Sequence, residues 1–319
     1  MEKKPFVSII IPVKNNERTI RKCIDSIFNL DYADYEVIVI NDGSTDSTGK
    51  ILYEYKNKIK IIETNGVGPS KARNIAIKEA RGSFVAFTDG DCIVDRKWLL
   101  ELLRGFEERE MFSVAGVGGV QLSPEDESGF GKLVTKFMYS IGIIDYVKKN
   151  KKIVFTSHNP TCNVMYKKEI FDKIGGFKEG LWPGEDVEFD YRLTKVGYKL
   201  VFNPEAVVYH YRVGNIKGFC KMMYNYGRVQ AVLVKMYGFF RKIHFVPIIL
   251  VLGVGGIVFL VSYNYKLAFN IVSFVVSALF LYLVFKTENI KEWLSFIGLF
   301  FITIFFWNIG FIVGLFRKK

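Results

Sequence analysis

Four short apolar runs rich in β-branched residues recur near the start of the chain, each followed by a stretch of helical character. They are FVSIIIPV (6–13), YEVIVIND (35–42), KIKIIET (58–64) and SFVAFTD (83–89); helices are expected over Glu17–Asn29, Ser47–Tyr55 and Pro69–Ala80. Strands alternating with helices build a mostly parallel sheet with helices on both faces, an α/β arrangement of Rossmann-like character. In such sheets ligands bind beyond the carboxyl ends of the strands. The polar stretches PVKNNE, NDGSTDST, TNGVGPSKARN and DGD follow the four runs, so all four are expected at one crevice.

The other end of the chain obeys different chemistry. From Ile243 onward it carries six basic residues (Lys266, Lys286, Lys291, Arg317, Lys318, Lys319) and two acidic ones (Glu288, Glu292), and almost everything else is apolar. The stretches 245–263, 267–285 and 293–316 contain no charge. A helix needs roughly 20 apolar residues to cross the hydrocarbon core, so the pattern predicts an all-α transmembrane region of about three helices over residues 243–319. The N-terminal MEKKPFVSIII runs charge directly into a β-like segment without a cleavage site, which places residues 1–242 in the cytoplasm as an expectation. Lys235, Arg241 and Lys242 before the first span agree, whereas three crossings would put the terminal RKK outside, against the positive-inside tendency.

The net charge of +12 suits a surface close to anionic lipid, and no nucleic-acid module is recognisable. Cys23, Cys92, Cys162 and Cys220 are scattered without a CxxC pair, which reads as reduced packing residues and argues against a zinc site or a disulfide framework.

At the end of the fourth run, FVAFTDGDCIV sets Asp89 and Asp91 one residue apart. Asp-Gly here could be a hairpin turn. Alternatively, Gly90 turns the chain so that both carboxylates face one hard cation. Neither GxGxxG nor GxxxxGK[ST] follows the first strand, so a bound diphosphate would need its charge neutralised by some means other than a glycine-rich cradle. Mg²⁺ or Mn²⁺ held by carboxylates would serve.

The segments SIIIPVKNNE, VIVINDGSTDST, ARNIAIKEARGSFVAFTDGD and GGF…GEDVEFDYRL, in this order and spacing, resemble the family 2 glycosyltransferases of GT-A fold over about residues 5–212. The resemblance implies a nucleotide-diphosphate sugar donor. It implies that Asp42 bonds the base, that Pro12 and Asn15 line the nucleotide pocket, and that Arg73 lies near base or phosphates. Asp89 would lie near the ribose and cation, with Asp91 the closer metal ligand. An Asx turn in NDGS is the plain alternative for Asp42. Asn163, in TCNVMYKKEIFDKIGGF, is expected near the sugar or as a turn residue; His210, in AVVYHYR, is expected as an extra metal ligand or as a polar surface residue.

Inverting transfer needs a base for the attacking hydroxyl. WPGEDVEFDYRL offers Glu185 and Asp186 as candidates, though carboxylates at a helix N-terminus are otherwise simply complementary to its dipole; the family resemblance implies Asp186 as the base and Glu185 as an acceptor or sugar contact.

Two further stretches have amphipathic character. Residues 216–242 form a helix and linker with a stripe of Lys217, Lys221, Arg228 and Lys235, fitting either a helix in the membrane interface or one packed on protein. Residues 129–152 end in Lys148, Lys149, Lys151 and Lys152, either a solvated turn or a holder of lipid phosphate.

The sequence therefore predicts three parts: a cytoplasmic GT-A catalytic domain over 1–215, the helix and linker, and the membrane region. Together they would make a membrane-anchored, metal-dependent, inverting glycosyltransferase acting on a lipid-linked or membrane-proximal acceptor at the cytoplasmic face. A processive polysaccharide synthase is disfavoured because the region before the spans reads YNYGRVQ and lacks QxxRW. A polyprenyl-phosphate sugar synthase and an inactive membrane scaffold are the other readings. The four aspartates Asp42, Asp89, Asp91 and Asp186 speak against the scaffold.

Overall fold

The computed structural model describes residues 4–142 and 152–316. Lys148, Lys149 and Lys151 of the second amphipathic stretch, and the terminal RKK, lie outside them. The described residues divide into two compact units, Met1–Thr135 with Ile141–Arg212, and Lys136–Ser140 with Val213–Lys319.

In the first unit the chain runs β1 (Val7–Val13), α1 (Ile20–Phe28), β2 (Tyr35–Asp42), α2 (Thr48–Glu54), β3 (Lys60–Thr64), α3 (Pro69–Glu79), β4 (Phe84–Phe87), β5 (Cys92–Val94), α4 (Trp98–Glu107) and β6 (Val114–Leu122). Then come α5 (Gly129–Ser140), β7 (Val154–Thr156), β8 (Val164–Lys167), α6 (Glu169–Ile174), α7 (Glu185–Lys195) and β9 (Lys199–His210). The strands form one sheet in the order β3-β2-β1-β4-β8-β6-β9-β5, with β7 on β9. The four strands expected from the apolar runs are parallel neighbours, with Ile9 opposite both Val37 and Ala86. Beyond β4 the sheet turns mixed: β8 is antiparallel to β4 and β6, while β9 is parallel to β6 and antiparallel to β5.

Alternation along β1 explains why helices cover both faces. Ile9 and Ile11 point to one side, where α1 and α4 contribute Ile20, Ile24, Trp98 and Leu102; Ile10 points to the other, with Ala72, Ala76, Phe87, Tyr166 and Phe189. Helix α1 buries Ile20, Cys23, Ile24 and Ile27, the i, i+3, i+4, i+7 stripe of an amphipathic helix. Each such isoleucine contributes about 1.5–3 kcal/mol by leaving water.

Asp89-Gly90 is not a hairpin turn. Strand β5 pairs with β9 at the far edge of the sheet and not with β4, so residues 88–91 cross the sheet edge. Gly90 is required for close approach: a Cβ there would lie 2.7 Å from Val13 Cγ1.

The second unit contains α8 (Ile216–Tyr237), a short 3-10 turn over Lys242–Phe245, α9 (Val246–Val284) and α10 (Ile290–Phe316). Among the described residues, Lys242–Val284 and Ile290–Phe316 are long and apolar enough to cross a membrane. Helices α8 and α10 run side by side in the same direction. Phe137 stacks edge-on with both Phe219 and Phe296, Ala231 clusters with Trp307 and Phe311, and Lys235 Nζ donates to Leu315 O at 3.0 Å. The backbones nearly touch: a Cβ on Gly310 would lie 2.0 Å from Tyr224 O.

Helix α9 is interrupted at Asn264 (φ −152°, ψ 89°). Its start, Val246, packs on the cluster around Trp307. Its end packs Phe280 on Trp293 with ring centroids 5.4 Å apart. Those two anchors on α10 are about 21 Å apart at 1.5 Å per residue, whereas a straight 39-residue helix would span about 58 Å. The two arms therefore fold back at Asn264.

Asn163, expected near the sugar or in a turn, is fully buried: its Oδ1 accepts from Trp98 Nε1 at 2.8 Å and its Nδ2 donates to Val120 O at 2.8 Å and Ala206 O at 2.9 Å. These three bonds tie α4, β6 and β9 to the residue that precedes β8 and use both amide donors, and Asn163 N donates to Pro160 O at 3.0 Å in the turn expected there. Asn163→Ala leaves three buried polar groups unpaired, an expected loss of about 3–5 kcal/mol. That corresponds to roughly 6–20 °C in Tm for a unit of this size. Thermal unfolding of the full chain in detergent, followed by tryptophan fluorescence, checks it.

Candidate active site

Because β1, β2 and β4 are parallel, their carboxyl ends open on one edge, and the polar residues that follow them gather there. Pro12 is half-buried beside Ile40 of β2. Asn15 adopts the left-handed conformation (φ 56°), and its Oδ1 accepts from Thr45 N at 2.7 Å, stitching the loop after β1 to the loop after β2. Asp42 accepts from Thr64 Oγ1 (2.6 Å), Val67 N (2.6 Å) and Gly68 N (2.8 Å). Burial works to raise its pKa, yet these three donors hold it below the usual carboxylate range. Asp42 therefore fixes the loop that leads into α3.

Arg73, on α3, sits almost wholly out of solvent at 2% exposure. Its Nη2 contacts Asp89 Oδ1 at 2.7 Å and its Nη1 contacts Glu185 Oε1 at 2.6 Å. One guanidinium thus joins the first carboxylate of DGD to the first residue of α7. Burial, with Asp186 adding its charge, pushes Glu185 up to about 7 against the pull of Arg73. Burial and the neighbouring Asp91 likewise raise Asp89, again opposed by Arg73.

Asp91 is the more open of the pair, and its Oδ1 lies 3.5 Å from His210 Nε2. Burial would raise its pKa, but His210 holds it low. His210 Nδ1 lies 3.3 Å from Gln121 Oε1, which also accepts from Arg212 Nη2 at 2.7 Å. With Nδ1 toward Gln121 Oε1, the ring presents Nε2 to Asp91, the placement that a metal-binding imidazole has when its other nitrogen is held by an outer partner. Burial and Arg212 push the imidazole down, but Asp91 and Cys162 outweigh them and lift it to about 10. Asp91 and His210 thus face each other beside Asp89, and carboxylate oxygens with an imidazole nitrogen are donor types that Mg²⁺ and Mn²⁺ accept.

At the opening of α7, Asp186 Oδ1 accepts from Val187 N at 2.8 Å, and its Oδ2 lies 3.4 Å from Thr161 N and 4.0 Å from His158 Nε2. Asp186 keeps some solvent exposure, unlike Glu185. His158 is fixed from behind by Asp190, whose Oδ2 lies 2.9 Å from His158 Nδ1 and whose Oδ1 accepts from Tyr166 Oη at 2.7 Å. Sequence reasoning missed this chain. His158 stands alone in SHNP, and the usable signal was Asp190 falling one helical turn after Asp186 on the same face. It also missed Cys92 and Cys162, which the fold places beside His210: the two Sγ atoms and a ring nitrogen of His210 all lie within 4.8 Å of one another.

A family model described as glycosyl transferase family 2 matches residues 8–175. Glycosyltransferase AglE of Haloferax volcanii is 29% identical over 217 residues, covering 65% of this chain and 67% of that protein. A Methanococcus voltae protein is 28% identical over 253 residues, covering 76% of this chain and 78% of its own; it is described as dolichyl N-acetyl-alpha-D-glucosaminyl phosphate 3-beta-D-2,3-diacetamido-2,3-dideoxy-beta-D-glucuronosyltransferase. Among solved structures, the mannosyltransferase PcManGT from Pyrobaculum calidifontis, in complex with GDP-Man and Mn²⁺, matches with a TM-score of 0.70 at 18% identity, over 100% of this chain and 89% of its own. That likeness shows the fold.

The Arg73 ion pairs make a stability test. Arg73→Met strands two carboxylates at the protein's interior edge and is expected to cost about 3–5 kcal/mol. Arg73→Met combined with Glu185→Gln is expected to recover part of that loss, because one stranded charge is gone; denaturant unfolding of both variants at pH 8 measures it.

Proposed function

Since the chain belongs to glycosyl transferase family 2 and is a glycosyltransferase, we propose that it moves a sugar, with inversion, from a nucleotide-diphosphate sugar to a lipid-linked or other membrane-proximal acceptor, using Mg²⁺ or Mn²⁺. The observation that carries this reading is the Arg73 link, which holds Asp89 and the start of α7 in one rigid piece. The donor end and the base end of the site then keep a fixed separation, as displacement at a sugar carbon requires.

Pro12, Asn15 and Asp42 would line the nucleotide pocket at the ends of β1 and β2. Asp89, Asp91 and His210 would hold the cation, which when bound stabilises the charge developing on the departing diphosphate. Asp186 takes the proton of the acceptor hydroxyl; its solvent exposure lets it reach that hydroxyl, and His158, anchored on Asp190, steadies its Oδ2. Glu185 faces inward and serves by holding Arg73, in place of the sugar contact expected for it. The acceptor class is supported by the two apolar helices and by the lipid-linked acceptor in the description of the Methanococcus voltae relative.

The membrane arrangement follows from charge. If α10 crossed the bilayer, α8 alongside it would carry Lys221 and Arg228 into hydrocarbon, at about 2.5–3.5 kcal/mol each. The α8–α10 pair therefore lies along the membrane surface, and the two arms of α9 enter and return. This gives two crossings, in place of the three that the apolar stretches suggest. Lys235, Arg241, Lys242, Lys286 and Lys291 then share the cytoplasmic side with the catalytic domain, and Tyr263, Tyr265 and Lys266 mark the far end of the hairpin.

Asp186→Asn is expected to lower turnover about 10²–10⁴-fold while leaving donor affinity in Mn²⁺ nearly unchanged. Transfer assays with a panel of nucleotide sugars and lipid-linked acceptors, paired with calorimetric donor titration, check this; equal turnover with Mn²⁺ and with chelator would remove the metal role. In a Cys220→Ser background, Asn264→Cys is expected to react with an impermeant maleimide only from outside intact cells, and Phe316→Cys only after lysis.

A further inference from the structure

Cys92 and Cys162 lie on separate elements 70 residues apart in sequence, yet their sulfurs and a ring nitrogen of His210 fall within 4.8 Å of one another. Two features make this more than coincidence of packing. Cys92 and His210 are direct cross-strand partners between β5 and β9, so the backbone register fixes their proximity. Asp91 Oδ1 lies 3.5 Å from His210 Nε2 and 4.0 Å from Cys92 Sγ, which adds a fourth donor on the open side.

We propose that Cys92, Cys162, His210 and Asp91 form a second, soft-cation site that takes Zn²⁺ or a similar thiophilic divalent ion. Zn²⁺ favours four ligands drawn from sulfur, nitrogen and oxygen, with bonds of about 2.3 Å to sulfur and 2.0–2.2 Å to nitrogen or oxygen. Tetrahedral geometry then sets ligand atoms roughly 3.3–3.8 Å apart. The separations found here, 3.5 and 4.0 Å from Asp91 and at most 4.8 Å among the other three, are within about 1 Å of those values, and Gln121 Oε1 lies on His210 Nδ1 as an outer partner. On binding, both thiols release their protons to solvent and the sulfurs ligate as thiolates; no oxidant is involved.

The site shares His210 and Asp91 with the proposed hard-cation site but not Asp89. Hard and soft ions therefore exclude one another: Zn²⁺ on the thiolates withdraws the imidazole and one carboxylate from the donor side. Zn²⁺ therefore inhibits by holding the shared His210 and Asp91, with its affinity supplied by two thiolates that Mn²⁺ does not use. Occupancy of the thiol site itself stands on Cys92, Cys162 and His210 alone and does not depend on the glycosyl-transfer reading.

Co²⁺ reports the distinction directly, because only thiolate ligation gives an intense near-ultraviolet charge-transfer band, alongside the strong visible absorption of a four-coordinate ion. The full chain in detergent, stripped of metal under reducing conditions, is expected to develop that band with one equivalent of Co²⁺ and to lose it when Zn²⁺ is added. Loss of even an outer partner costs about 10–100-fold in metal affinity, so Cys162→Ser and Cys92→Ser, each losing a direct ligand, are expected to bind Zn²⁺ roughly 100-fold more weakly and to lack the full band. A wild-type spectrum with only weak, oxygen-type bands overturns the proposal, and this needs no variant to fold. So does a double serine variant that binds Zn²⁺ as tightly as the wild type. If the band appears but Zn²⁺ leaves Mn²⁺-supported transfer untouched, the exclusion between the two ions is overturned while the thiol site stands.

Discussion

A single buried guanidinium organises the catalytic unit. Arg73 has no water to replace its partners, so its two carboxylates are obligatory: removing either leaves a charge in a poorly solvating place. Through it, the strand end that carries Asp89 and the helix start that carries Asp186 become one object. Burial raises both partners against the pull of the guanidinium, Glu185 to about 7. Buried charge gives little net stability, but it fixes geometry, and geometry is what transfer between two bound molecules needs.

Around this pair the site is layered by how far each side chain can move. Asp42 and Asn15 are tied into loop backbones, Asn163 is consumed by the core, and His210 is pinned between Gln121 and Asp91. Asp186 and Asp91 keep solvent access. The groups that fix shape are thus satisfied inside the protein, and the groups that would meet a ligand are those left partly open.

Much of this was legible in the chain. Unbroken β-branched runs between helical stretches require a parallel sheet, and parallel strands send their carboxyl ends to one edge, so the converging polar loops needed no structure to find them. The pairing of DGD was harder: Asp89-Gly90 is also a hairpin signal, and only the sheet order, with β5 on the far edge, excludes that turn. Asn163 shows the limit of a motif: the turn expected for it forms, with its N–H on Pro160 O, but an amide in a motif looks the same whether it faces a ligand or closes three core hydrogen bonds. The apolar character of the C-terminal part was legible, but the pairing of α8 with α10 depends on glycines at a contact that sequence alone does not locate.

By itself the sequence determined a parallel α/β sheet with acidic groups at its ligand edge and a lipid-soluble end, because periodicity, charge and apolar length act along the chain and can be read along it. Only the tertiary structure decided which distant groups touch: Arg73 with Glu185, His158 with Asp190, and two cysteines with His210. Those contacts are set by strand order and register, which follow from how whole faces bury one another, and no local spacing encodes them.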